Sequence, residues 1–75
     1  MAEFIRDATR EGRLIARLRC YDGEAGATIV DAYVAPASGG EPLRRGPYRF
    51  TTAHEAFHFV QEATLALQYL GCVVT

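Results

Sequence analysis

The chain has 75 residues, 49% of them hydrophobic, and a formal net charge of −1. That balance excludes a disordered polyelectrolyte and any global pull toward nucleic acid or anionic lipid. Its two cysteines, Cys20 and Cys72, form no CxxC pair, which excludes a zinc ribbon or a thioredoxin-type site, and no apolar run nears the roughly 20 residues needed to span a bilayer.

In chain order, Phe4, Ile5 and Ala8 share one helical stripe, Asp7 and Arg10 can pair across a turn, and Gly12 suits a helix stop. These features predict a short helix over about residues 2–11. A strand turning at Glu11-Gly12 is its rival. From Arg13 to Tyr21 the chain alternates, with Leu14, Ala16, Leu18 and Cys20 on one side and Arg13, Ile15, Arg17, Arg19 and Tyr21 on the other. Period-two alternation is the mark of a half-buried strand. Asp22 to Gly26 supplies turn residues, and the β-branched segment Ala27 to Ala35 reads as the return strand. If Val30, Ala32 and Val34 face the core, Ile29, Asp31 and Tyr33 lie beside the arginines, and Asp31 is expected to pair with Arg17 or Arg19.

Residues 36–47 hold every proline and read as a loop, followed by a short strand at Tyr48 to Phe50. Thr52-Ala53-His54-Glu55 is a capping box that opens a helix to Leu70, with Gly71 as the stop. Ala53, Ala56, Phe57, Phe59, Val60, Ala63, Thr64, Leu67 and Leu70 form one arc wide enough to cover a sheet. Cys72 to Val74 can add a last strand. The expected fold is α+β in one domain spanning residues 1–75: an antiparallel three- to four-stranded sheet with one long C-terminal helix packed on one face and a short N-terminal helix, an αβββα-like order.

No apolar N-terminal segment precedes a small-residue cleavage site, so the chain reads as cytoplasmic with reduced, buried thiols. All eight basic residues are arginines and all precede Thr51. The absence of lysine beside abundant alanine and arginine fits a GC-rich bacterial genome.

Three constellations could carry function. His54-Glu55-Ala56-Phe57-His58 is an H-E-x-x-H run on a predicted helix, where residues four apart share a face. It resembles the zincin metalloproteases, and the resemblance implies His54 and His58 as zinc ligands with Glu55 as general base. A catalytic zinc takes a third protein ligand. Glu62 lies about 12 Å along the axis from His54, so a third ligand would have to come from Asp22, Glu24 or Asp31. The reading is therefore no enzyme, no cofactor and no metal site, with His54 and His58 as the weak metal candidates.

The second constellation is the outer sheet face, where Arg13, Arg17, Arg19, Tyr21, Tyr33 and Arg49 would gather, with Arg44, Arg45 and Tyr48 nearby. Arginines neutralise phosphates and tyrosines stack on bases, which makes a nucleic-acid-binding face the alternative function. A three-stranded sheet backed by a helix resembles the plant ethylene-response-type DNA-binding domain, whose Phe-x-Thr-x-x-Glu-Ala run is approximated by Phe50, Thr52, Glu55 and Ala56. The αβββα order resembles a double-stranded-RNA-binding domain, although His54 and Glu55 stand where such domains place a basic cluster.

The third is the far side of the long helix, where His58, Leu65 and Tyr69 cluster, followed by the Cys72, Val73 and Val74 strand. A chain this short buries only about 60% of its unfolded surface, and self-association is a usual remedy. The expected partner is a second copy, and the expected function is a small non-enzymatic homo-oligomeric interaction module.

Overall fold

The computed structural model describes residues 3–75. β1 (Phe4–Arg10), β2 (Arg13–Asp22), β3 (Thr28–Val34), β4 (Leu43–Phe50) and β5 (Val73–Val74) form one antiparallel sheet in the order β4-β3-β2-β1-β5. The one α-helix among the described residues, α1 (Ala53–Tyr69), packs on one face. The α+β class is as expected, but the sheet has five strands rather than three or four.

The extra strand is β1, where a helix was expected; position 2 of that expectation lies outside the described residues. The turn decides it. Glu11 and Gly12 both take positive φ, +54° and +78°, and Arg10 pairs with Arg13. A two-residue loop with both φ positive matches the twist of adjoining strands. An isolated helix of about ten residues gains too little to compete with a ready-made sheet partner.

A bulge then corrects the alternation of β2. Ala8 pairs with Ala16, but Thr9 pairs with Leu14, so Ile15 is the extra residue. One inserted residue shifts side chains by one place. Ile15 consequently packs with Ala8, Ala16 and Cys72. Leu14 instead joins Ile5, Arg17 and Arg19 on the outer face.

β4 also begins earlier than expected, at Leu43 instead of Tyr48. It is an edge strand, and its register slips between Val30 and Ala32, so Gly46 and Pro47 fall at the irregularity. Proline lacks an N–H, and an edge position or bulge tolerates that. The connecting loop is left with residues 35–42.

Thr52 caps α1 through its hydroxyl, which accepts the Glu55 N–H at 3.1 Å. At the other end Cys72 N–H donates to Leu67 O and Gly71 N–H to Gln68 O, both at 3.0 Å, with Gly71 at φ +94°. This is the Schellman arrangement, in which a left-handed glycine satisfies the last carbonyls. It also turns the chain so that β5 can reach β1.

The core lies between sheet and helix in two clusters. Leu18, Cys20, Val30, Ala56 and Val60 form the first, flanked by Phe4, Phe50 and Phe59. Ala8, Ala16 and Cys72 form the second, flanked by Ile15, Leu67 and Val74. The molecule is a plate of 38 × 23 × 16 Å. Its radius of gyration, 12.6 Å, exceeds the roughly 11.3 Å expected of a compact globule of this length.

Candidate functional site

The arginine face is built on β2, whose odd positions 17, 19 and 21 point away from the helix. Each of its main arginines meets a carboxylate. Arg17 Nε and Nη2 donate to the two oxygens of Asp7 at 2.6 and 2.9 Å, directly across the β1–β2 ladder. That fork holds the Asp7 carboxyl below its usual value. Arg19 donates to Glu3 and lies over the Tyr21 ring, 4.4 Å from its centroid.

Asp31 was expected to pair with Arg17 or Arg19. It stands opposite Arg19 in the ladder, yet its partners are Arg44 Nη2 at 2.7 Å, Arg44 Nε at 3.1 Å and the Tyr21 hydroxyl at 2.9 Å. The strands outside this pair, β1 beside β2 and β4 beside β3, explain the exchange. β1 brings Asp7 and Glu3 to the β2 arginines, and β4 brings Arg44 to Asp31. Asp31 is only 1% exposed, so its charge is buried and hydrogen-bonded. The bond to Asp31 raises the Tyr21 hydroxyl's pKa, because ionising it would set two anions together.

Of the other members of the predicted face, Tyr33 stays in the row of Arg17 and Arg49 in the row of Tyr21. Tyr33 is half-buried between Arg17 and Arg44 in the ladder. Arg49 stands opposite Ile29, and Arg13 sits at the turn opposite Arg10. Tyr48 is on the other side of the sheet altogether: its ring centroid is 5.2 Å from that of Phe59 on the helix. The face therefore alternates charges and carries no uninterrupted basic surface.

His54, Glu55 and His58 are all exposed on the first turns of α1. The Glu55 carboxylate accepts from the Thr51 hydroxyl at 2.7 Å and the Thr52 hydroxyl at 3.2 Å, and these bonds hold its pKa below the usual value. His58 Nε2 lies 3.4 Å from Glu62 Oε1. Among the described residues no group of three His, Cys, Asp or Glu side chains is placed to hold a metal ion.

α1 carries large apolar side chains that remain exposed. Phe57 is 44% exposed, Leu65 52% and Tyr69 92%. Leu65 also lines an open slot of about 440 Å³ with Phe4, Arg6, Phe57 and Thr64, where the flank of α1 overhangs β1. Of the C-terminal residues, Val73 is exposed, Val74 half-buried and Cys72 buried in the second core cluster, so the Cys72 side chain presents nothing to the surface. The sequence reading missed Phe4, Ile5 and Arg6, because it placed them in a helix. The signal available was Glu11-Gly12, two turn residues between β-capable segments.

No protein-family model, no curated protein and no solved structure matches this chain. Among the described residues no helix is long and apolar enough to cross a membrane.

Proposed function

We propose that this chain is a non-enzymatic interaction module that works by associating with itself. The observation that carries the reading is the distribution of large side chains. Among the described residues the buried apolar set is Ala8, Ala16, Leu18, Cys20, Ala27, Val30, Ala56, Val60 and Cys72, in which only Leu18 is larger than valine. Meanwhile Ile5, Leu43, Phe57, Leu65, Tyr69, Leu70 and Val73 are exposed. Single exposed apolar residues are ordinary, but small residues in the core with this many large ones exposed leave apolar surface available for burial against a partner.

Magnitudes set what the assembly requires. Fully burying a Phe or Leu contributes about 1.5–3 kcal/mol, so burying the exposed halves of Phe57 and Leu65 on two copies contributes about 3–6 kcal/mol. A micromolar complex needs about 8 kcal/mol after the cost of association is met. Side chains of this patch alone fall short, and backbone pairing is the natural supplement. The pairing of Arg17, Arg19 and Arg44 with carboxylates counts against the nucleic-acid alternative, since phosphate binding draws on unpaired cationic charge.

Sedimentation equilibrium across the micromolar range tests the proposal. A dimer or larger species is expected, and Leu65→Asp should shift it toward monomer. A wild-type protein that stays monomeric throughout would remove the reading.

A further inference from the structure

The two edges of the sheet are built differently. β4 carries Arg44, Arg45, Arg49 and Pro47 along its length. Arginines that would oppose arginines, and a missing N–H, are devices that keep an edge unpaired. At the other edge β5 is two residues long and meets β1 only at Ala8 and Thr9, followed by a backbone pair between Asp7 and Thr75. Asp7 N–H donates to Thr75 O at 3.1 Å, and Thr75 N–H to Asp7 O at 2.9 Å. Strand backbone groups repeat every second residue, so the N–H and C=O of Ile5 point the same way as those of Asp7. No described strand meets them there.

The slot between β1 and α1 lies beside this open stretch. Phe4, Arg6, Phe57 and Leu65 line it, so the backbone vacancy and the exposed apolar patch are one continuous surface. Arg6 differs from Arg17, Arg19 and Arg44. It donates to the Ile5 carbonyl at 3.3 Å and lies 4.8 Å from the Phe4 ring centroid. Among the described residues no carboxylate is within ion-pair distance of it.

We propose that a second copy of this chain docks here, β1 against β1, antiparallel about a two-fold axis at Phe4. The inference rests on the self-association reading above and names its geometry. β5 restricts the register. An axis at Ile5 would set position 3 against position 7, whose backbone is already taken by Thr75. An axis at Phe4 sets Glu3 against Ile5 in both directions and leaves Asp7 with Thr75. The two Phe4 side chains then stand opposite each other in a non-hydrogen-bonded pair, Cβ atoms about 4.5–5.5 Å apart, on the helix side of the sheet. Phe57 and Leu65 from both helices close over them. Arg6 lies diagonal to the second copy's Phe4, so its guanidinium remains over an aromatic ring and needs no acid. The interface is isologous and closes on itself, which makes a dimer with β4 at both outer edges instead of a filament.

Two variants test this in the full chain. Phe4→Cys should form a covalent dimer under mild oxidation, because cysteines in facing non-hydrogen-bonded positions meet disulfide geometry. Cys20 and Cys72 are buried and stay in place. Leu43→Cys on β4 is the control and should remain uncrosslinked. Ile5→Pro removes an N–H that points outward and leaves the β1–β2 ladder whole. It should weaken self-association at least tenfold with an unchanged circular dichroism spectrum. A dimer that survives Ile5→Pro, with no crosslink at position 4, overturns the edge pairing and leaves self-association standing. A monomeric wild type overturns both. If Ile5→Pro does not fold, the crosslink at position 4 decides alone.

Discussion

Asp31→Asn isolates the contribution of the buried carboxylate that joins three strands. Asp31 accepts from Tyr21 on β2 and from two nitrogens of Arg44 on β4, and its own side chain is 1% exposed. Asparagine keeps the shape and can still present one oxygen to Arg44, while Tyr21 can reverse its hydroxyl and accept from the new amide. What is lost is charge. A hydrogen bond to a charged group contributes about 1.5–3 kcal/mol and a neutral one about 0.5–1.5 kcal/mol. Arg44 is half exposed, which screens the difference, so we expect a loss of about 1 kcal/mol for Asp31→Asn. For a chain this size that is roughly 4–8 °C in Tm. Asp31→Leu should cost more, about 1–3 kcal/mol, because Tyr21 and Arg44 would then face an apolar group. Urea denaturation followed by far-ultraviolet circular dichroism, at pH 7 and one fixed protein concentration, measures both. Buried ion pairs are often replaceable by apolar groups without loss. An Asp31→Leu variant as stable as the wild type would therefore refute the reasoning: the carboxylate would only be compensating its own burial.

Further outcomes follow from the same geometry. Leu18→Ala deletes the largest buried apolar side chain and should cost about 2–5 kcal/mol, whereas Leu43→Ala on the exposed edge should change stability by less than about 0.5 kcal/mol; chemical denaturation of the two variants compares them. Thr52→Ala should cost about 1 kcal/mol in the same measurement through loss of the helix cap. Asp7 and Glu55 both have folded-state pKa values below their usual 3.8 and 4.5, so their stabilisation is present above that range and is lost as pH falls through it. Asp7→Asn and Glu55→Gln should flatten the acid limb of a stability–pH profile, and an unchanged limb would show that these groups gain nothing on folding. With Arg17, Arg19 and Arg44 paired to acids, the protein should give no gel shift with mixed nucleic-acid probes at physiological salt; a shift abolished by Arg17→Ala would show that the pairs open to phosphate.

How much of this was legible in the sequence depends on the range of the forces involved. The helix expected from Thr52 to Leu70 and found at Ala53–Tyr69 could be read because its cap, apolar arc and glycine stop act over a few residues of chain. The β2–β3 pairing could be read for the same reason: alternation on both sides of the Asp22 to Gly26 turn is local. Segments whose local preference is weak had to wait for their neighbours. Residues 4–10 satisfy a helical stripe and a strand about equally, and only the sheet edge offered by β2 tips the balance. Leu14 and Ile15 exchange faces because of one bulge, which the alternation of β2 taken alone does not reveal.

The sequence by itself determined the residue types available to each surface: arginines and tyrosines alternating on β2, histidines, leucine and tyrosine on the back of α1, and a chain too short for a comfortable core. Tertiary structure decided what those residues face. It brought Asp7 and Glu3 to Arg17 and Arg19, moved Asp31 to Arg44, put Tyr48 against Phe59, and set the open stretch of β1 beside Phe57 and Leu65. Such pairings depend on sheet order and register, and those follow from the summed packing of strands distant in sequence, which no local spacing encodes.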